Sequence, residues 1–271
     1  MIRKFFSLLV VIVFIFPIYY LVTSSFKSDA DIFALPPKLF FFDLDLSVYE
    51  KVFGFSGVLD SNFFTSRIFD SFVISFGSSS LTVIISIYAA YCFSRISFNY
   101  KKFFILGILS ARMMPLVSIA IPVYFVYEKI NLLDTYTGII LVHTFINLPL
   151  AVLLLKSFFD EIPKQIDENA YIDGASRFKI IHKVILPSTK GGLAVTFILS
   201  FIFSWTEFIC ALMIGQMNIK TIPVQASILK TIPTWDVMAA FTTVSIVPVF
   251  IMILLVKNHL VRGLTLGSIK E

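Results

Sequence analysis

The chain has 271 residues, 58% hydrophobic and only 14% charged, with a mean hydropathy of +0.91. Soluble domains carry about one quarter charged residues, so this composition excludes an ordinary water-soluble enzyme or binding module. The formal net charge of +5 comes from Lys and Arg at the ends of apolar runs, which points to membrane topology and gives no reason to invoke nucleic acid.

Apolar runs of 18 or more residues read as membrane spans, because about 20 helical residues cross ~30 Å of hydrocarbon. The first is Phe5–Phe26, preceded by Arg3 and Lys4. It exceeds the roughly 7–15 residues of a signal-peptide core and no small-x-small site follows, so it reads as a retained anchor. Lys27–Asp70 comes next, with Pro36-Pro37 and the acidic residues Asp29, Asp31, Asp43, Asp45, Glu50, Asp60 and Asp70. At this length it reads as a segment packed on the outer mouth of the protein, with a short helix near Ser47–Phe53. The second span is Ser71–Ser94. The third, Phe103–Tyr127, carries Arg112, Pro115 and Pro122; the fourth, Thr135–Leu155, carries His143, Asn147 and Pro149, the last predicting a kink. A polar loop, Asp160–Pro187, separates these from Gly191–Ile219, which contains Trp205 and Glu207, and from the clean run Val237–Val256. The expected fold class is an all-α integral membrane protein of six transmembrane helices, one domain over residues 1–271. The 31 Phe residues fit lipid-facing packing.

With the N-terminus inside, the inner segments hold about twice as many Lys and Arg as the outer ones, which include Lys220 and Lys230. That bias predicts both termini and the Asp160–Pro187 loop in the cytoplasm. Cys92 and Cys210 fall within spans and read as small apolar fillers. His143, His182 and His259 have no metal-ligand spacing with them. No Gly-x-x-x-x-Gly-Lys-Ser/Thr loop, Gly-x-Ser-x-Gly, His-Glu-x-x-His or Cys-x-x-Cys occurs, so no catalysis is expected here, and any driving nucleotide must bind another subunit.

The polar loop divides into two short helices. Asp160 can cap the first, with Pro163 in its first turn and Gly174 ending it in a left-handed conformation. The second runs from Ala175 to Leu186 and stops at Pro187. Phe178, Ile181 and Ile185 form its apolar stripe, opposite Arg177, Lys179 and Lys183. Such a helix can rest on lipid headgroups or dock another protein, and the small residues Ala170 and Gly174 favour close approach by a partner. Within the spans, Arg112 and Glu207 are expensive to bury, so each should face a cavity or a partner. Two readings stand for them. They line a substrate pathway, with Trp205 as a ring for stacking and Asn147 and His143 as weaker candidates. Otherwise they pair with each other or with a neighbouring subunit.

The loop resembles the Glu-Ala-Ala loop of ATP-binding-cassette (ABC) importer permeases, E-A-A, three residues, G, nine residues, I-x-L-P. Glu168, Ala170, Gly174, Leu186 and Pro187 match at that spacing, while Asn169 replaces the middle Ala and Val184 the Ile. The flanking Phe159-Asp160-Glu161-Ile162-Pro163 and Tyr171-Ile172-Asp173-Gly174-Ala175 are similar to the carbohydrate-uptake permeases, in particular the maltose-type G subunit. So are Ser25-Phe26-Lys27, Ala89-Ala90-Tyr91 with Ser94-Arg95, Ile121-Pro122, Trp205-Thr206-Glu207-Phe208, and the tail Gly263–Gly267 with Lys270. The resemblance implies a plasma (inner) membrane protein of a bacterium or archaeon. It implies a homologous second permease, two ATPase subunits holding ATP and Mg, and an extracytoplasmic sugar-binding protein. The loop would be the coupling helix, with Glu168 making the charged ATPase contact and Asn169, Ala170, Asp173, Gly174, Leu186 and Pro187 around it. The sister permease would supply much of the sugar site. The competing class is an ion-coupled secondary transporter or channel using Glu207, but no repeat relates the two halves. A membrane scaffold would leave the intramembrane charges without a use.

Overall fold

The computed structural model of the protein describes residues 2–53, 63–229 and 235–266; Asp60, Lys230, Gly267 and Lys270 lie outside them. Every regular element among the described residues is helical. Four helices are long and apolar enough to cross a membrane: α1 (Ile2–Ser24), α4 (Phe63–Arg95), α7 (Tyr136–Asp160) and α14 (Trp235–Leu266). Helices α2 (Asp29–Ile32) and α3 (Ser47–Val52) lie between the first two. The predicted third span is a pair, α5 (Lys101–Arg112) and α6 (Leu116–Lys129), bent by 90°. A second bend, of 83°, separates the helical stretch Arg177–Ser188 from α11 (Lys190–Thr206), and counting each bent pair as one span brings the total to six.

The departures from the sequence expectation have identifiable causes. Helix α4 starts at Phe63, well before Ser71, because Asp70 is satisfied inside the fold by the Tyr136 hydroxyl at 2.6 Å and the Lys220 N–H at 3.4 Å. The third span breaks at Pro115, which has no N–H and disfavours helical backbone at Met114; Pro115 itself is extended (φ −60°, ψ 133°) and caps α6. Pro149, by contrast, sits inside an unbroken α7. The fifth span ends at Thr206: Glu207 is extended (ψ 131°), and the chain resumes as α12 (Ile209–Ile214) and α13 (Ile222–Leu229).

The chain forms two compact units. One comprises residues 1–69 and 222–248. In it the membrane-facing side chains of α1, Phe5, Phe6 and Phe14 among them, are exposed, as a lipid-facing helix requires. The segment after α1 folds back through Ser25 Oγ and Tyr49 Oη (2.7 Å) and buries Lys27 with its ammonium 4.5 Å from the Phe42 ring centroid. Lys51 pairs with Asp236 at 3.5 Å, and Phe64 packs edge-on against both Phe53 and Phe241.

The other unit comprises residues 70–221 and 249–271. One core, Ile74, Ala120, Ile139, Val142, Cys210 and Ile214, joins α4, α6, α7 and α12. A second core joins Ala90 and Tyr91 of α4, Leu155 and Phe159 of α7, and Ile162, Ile180, Ile181 and Ile185 of the polar loop. Helix α11 lies so close to α7 that a Cβ at Gly192 would sit 2.5 Å from the Phe158 ring.

The loop itself starts later than predicted. Asp160 closes α7, where Ser94 Oγ donates to it at 2.6 Å, and Pro163 caps α8 (Lys164–Ile172) instead. The end of α8 is a Schellman motif. Ala175 N–H donates to the Ala170 carbonyl and Gly174 N–H to the Tyr171 carbonyl, both at 3.0 Å, with Gly174 at φ 78°. Ser176 then caps α9 (Arg177–Ile180), a π-helical turn covers Ile181–Ile185, and α10 (Leu186–Ser188) follows. The wide turn carries Ile180, Ile181 and Ile185 inward together, and Phe178, expected on the same apolar stripe as Ile181 and Ile185, is 63% exposed.

Asp134, in the connection before α7, is a buttress that the sequence does not advertise. Its carboxylate accepts the backbone N–H groups of Gln216, Asn218 and Ile219 at 2.9–3.2 Å and the Asn218 side-chain amide at 2.7 Å. Burial pushes the carboxyl up, but the N–H groups of Asn218, Ile219 and Met217 outweigh it and hold the group below its ordinary 3.8. Stability from this carboxylate is therefore fully present above pH 3.8 and lost as pH falls through the lowered value. Asp134→Ala should destabilise the solubilised protein by about 2 kcal/mol near neutral pH. The gap in melting temperature from the wild type should close in acid; an equal gap at all pH values would contradict this. At Gly174 a methyl group meets nothing within 4 Å, so Gly174→Ala is penalised only by its left-handed backbone. It should cost about 1–2 kcal/mol, read as faster hydrogen exchange over residues 170–180, and Gly174→Asn should cost less.

Candidate functional site

Two places carry the residues singled out by sequence, the polar loop and the second half of α11. In the loop Glu168, Asn169, Asp173, Gly174 and Pro187 are exposed, while Ala170 and Leu186 pack against the core beneath. Beside Glu168 and on α9, three large apolar side chains stand in the open: Tyr171 at 67%, Ile172 at 80% and Phe178. An exposed apolar group on a charged segment marks an interaction surface. Next to it a cavity of about 640 Å³ is lined by Tyr91, Arg95, Lys164, Asp167, Glu168 and Arg177.

Asp167 and Arg95 are absent from the sequence candidates. Asp167 turns inward on α8 while its neighbour Glu168 turns out, and Arg95 Nε donates to Asp167 Oδ2 at 2.7 Å. The Arg95 guanidinium also donates to the Ile162 carbonyl at 3.0 Å. The available signal was the polar pair Ser94-Arg95 closing a long apolar helix. Which acidic residue it would meet depends on the phase of α8, and α8 is only nine residues long.

Around α11, Arg112 and Glu207 do not pair with each other. Arg112 Nη1 donates to the Ile146 carbonyl at 3.3 Å, and its guanidinium lies 4.7 Å from the Phe203 ring centroid. Arg112 also borders an apolar cavity of about 410 Å³ that includes Phe104, Phe145 and Pro149. Glu207 is buried and caps α12: Oε1 accepts the Cys210 N–H at 2.9 Å and Oε2 the Ala211 N–H at 3.0 Å.

His143 lies beside this cap, with Nε2 3.1 Å from Glu207 Oε2 and Nδ1 2.7 Å from Ser204 Oγ. Ser204 Oγ accepts from Ser78 Oγ at 2.9 Å. Trp205 is buried and stacked on Phe201 (centroids 5.6 Å apart, planes at 22°), and Asn147 Nδ2 reaches the Ser200 carbonyl at 3.5 Å. Arg112, Asn147, His143 and Glu207 thus all bear on the stretch from Ser200 to Glu207, but on different residues of it. Among the described residues no cluster of His, Cys, Asp and Glu could hold a metal ion, and Cys92 and Cys210 are free thiols.

This architecture has close counterparts. The family described as binding-protein-dependent transport system inner membrane component matches residues 82–266. The sulfoquinovosyl glycerol transport system permease protein SmoH of Agrobacterium fabrum is 32% identical over 260 residues, covering 94% of this chain and 89% of that protein. The trehalose/maltose transport system permease protein MalG of Thermococcus litoralis is 32% identical over 269 residues, covering 97% and 94%. A chain in the crystal structure of a bacterial ABC transporter involved in importing the acidic polysaccharide alginate superposes with a TM-score of 0.77 at 23% identity. That match covers 95% of this chain and 94% of the other, which is a likeness of fold. The family match runs from the second half of α4 through the polar loop and the Glu207 break, and with relatives of this identity over nearly the whole length the chain belongs to the binding-protein-dependent transport system inner membrane component family.

Proposed function

We propose that this chain is the permease subunit of an ATP-driven ABC importer for a di- or oligosaccharide, spanning the plasma membrane six times with both termini and the 160–187 loop in the cytoplasm. The observation that carries the reading is the two-sided polar loop. One side is built into the core through Ile180, Ile181 and Ile185, and the other presents Glu168, Tyr171, Ile172 and Phe178 outward. A segment so firmly held, with apolar groups in the open, suits a cleft in a soluble ATPase. Glu168 supplies a charge at the rim and the rings and Ile172 supply buried area.

The partners are a homologous second permease, two ATPase subunits that hold ATP and Mg, and an extracytoplasmic sugar-binding protein. The sugar assignment rests on the relatives, whose names include trehalose/maltose and diacetylchitobiose transport. Arg112 is the best-placed pathway residue of this chain, being exposed beside a cavity. Trp205 and Glu207, both buried in local contacts, hold the α11–α12 break in shape, and Asn147 braces α7 against α11.

Glu168→Lys should leave the complex assembled and ATP hydrolysis running while sugar uptake falls at least about tenfold, the loss expected when a desolvated contact becomes repulsive. Unchanged uptake in that variant would remove the coupling role from Glu168. Uptake by wild-type cells should collapse on ATP depletion and survive a protonophore. The opposite pattern would favour ion coupling.

A further inference from the structure

Helix α4 is joined both to the loop and to the end of α7. Arg95, the last residue of α4, spans from the Asp167 carboxylate (2.7 Å) to the Ile162 carbonyl (3.0 Å), and Ser94 Oγ donates to Asp160 at 2.6 Å. Both partners of the ion pair are shielded, with side chains 6% and 12% exposed. Beneath the pair, Ala90 and Tyr91 of α4 share one core with Leu155, Phe159, Ile180 and Ile185. Opening such a pair strands a desolvated charge, so the contact resists stretching more than a surface ion pair would. Asp167 also adjoins Glu168 in α8, so a pull on the outward face reaches the pair through one rigid turn of helix.

We propose that the Arg95–Asp167 pair is the mechanical link that carries movement of the docking loop into α4, making Arg95 and Asp167 positioning residues for transport. This inference rests on the importer reading above. In it α4, α7 and the loop turn together when the ATPases close, and α4 takes up the motion at Arg95. A merely structural pair would instead hold the loop folded, and its loss would reduce the amount or melting temperature of the complex without changing what each assembled complex does.

The test is the ratio of sugar taken up to ATP hydrolysed, measured in vesicles containing the complete complex co-purified with the tagged chain. Asp167→Asn should lower the ratio at least about fivefold, the lower end of typical coupling between sites. Asp167→Glu should recover much of it. Because a single change could unfold the loop, the double variant Arg95→Met with Asp167→Met is the second arm: apolar replacement of a buried pair generally preserves folding. It should assemble with an unchanged melting temperature and still show the lowered ratio. A wild-type ratio in the double variant overturns the link, as does a deficit confined to yield or melting temperature. A wild-type complex that takes up no sugar at the expense of ATP would instead fail the importer reading itself.

Discussion

Inside a bilayer every backbone N–H and C=O must find a partner within the protein, and this requirement governs where the molecule can be irregular. A break in a spanning helix releases several such groups at once. At two irregular stretches, after α11 and after α12, a side chain takes them up. Glu207 accepts the first free N–H groups of α12, and His143 and Ser204 fix the carboxylate from the other side. Arg112, at the end of α5, donates to the Ile146 carbonyl of α7. At the other side of this unit, the Asp134 carboxylate gathers the N–H groups that follow Gly215. The intramembrane polar residues therefore have structural work whether or not a sugar passes them, and only Arg112 among them remains open to a cavity.

The polar loop obeys the same requirement with different means, since water is available to it. A Schellman motif at Gly174 and a Ser176 cap close the turn between its helices. The loop's side chains divide by function. The apolar residues of the π-helical turn and Ala170 go inward, Asp167 goes to Arg95, and Glu168, Tyr171, Ile172 and Phe178 are left outward. A loop organised this way can take a load on one face and hand it to the membrane helices through the other.

Much of this was legible in the sequence. Apolar runs gave the long helices to within a few residues at most ends, Gly174 marked the left-handed turn, and the Glu168–Pro187 spacing pointed to the family. The errors have different causes, none of them visible to periodicity. Asp70 looked like a loop residue because Tyr136, far along the chain, is what makes it tolerable in a helix. Pro115 and Pro149 look alike in sequence, yet only Pro115 ends a helix. The stripe through Phe178 assumed 3.6 residues per turn, and the wider π turn rotated the apolar set onto Ile180 instead. Arg95 and Asp167 could not be paired in advance because nine residues of α8 do not fix which acidic neighbour points inward.

The most direct test of the central claim is gentle affinity purification of this chain from its native membranes, followed by mass spectrometry of what accompanies it. The account predicts a second six-span permease and an ATPase with a phosphate-binding loop, together in fixed proportion. A chain that purifies alone, stable and active in transport without any ATPase, would contradict it and leave the exposed face of the loop to the lipid surface.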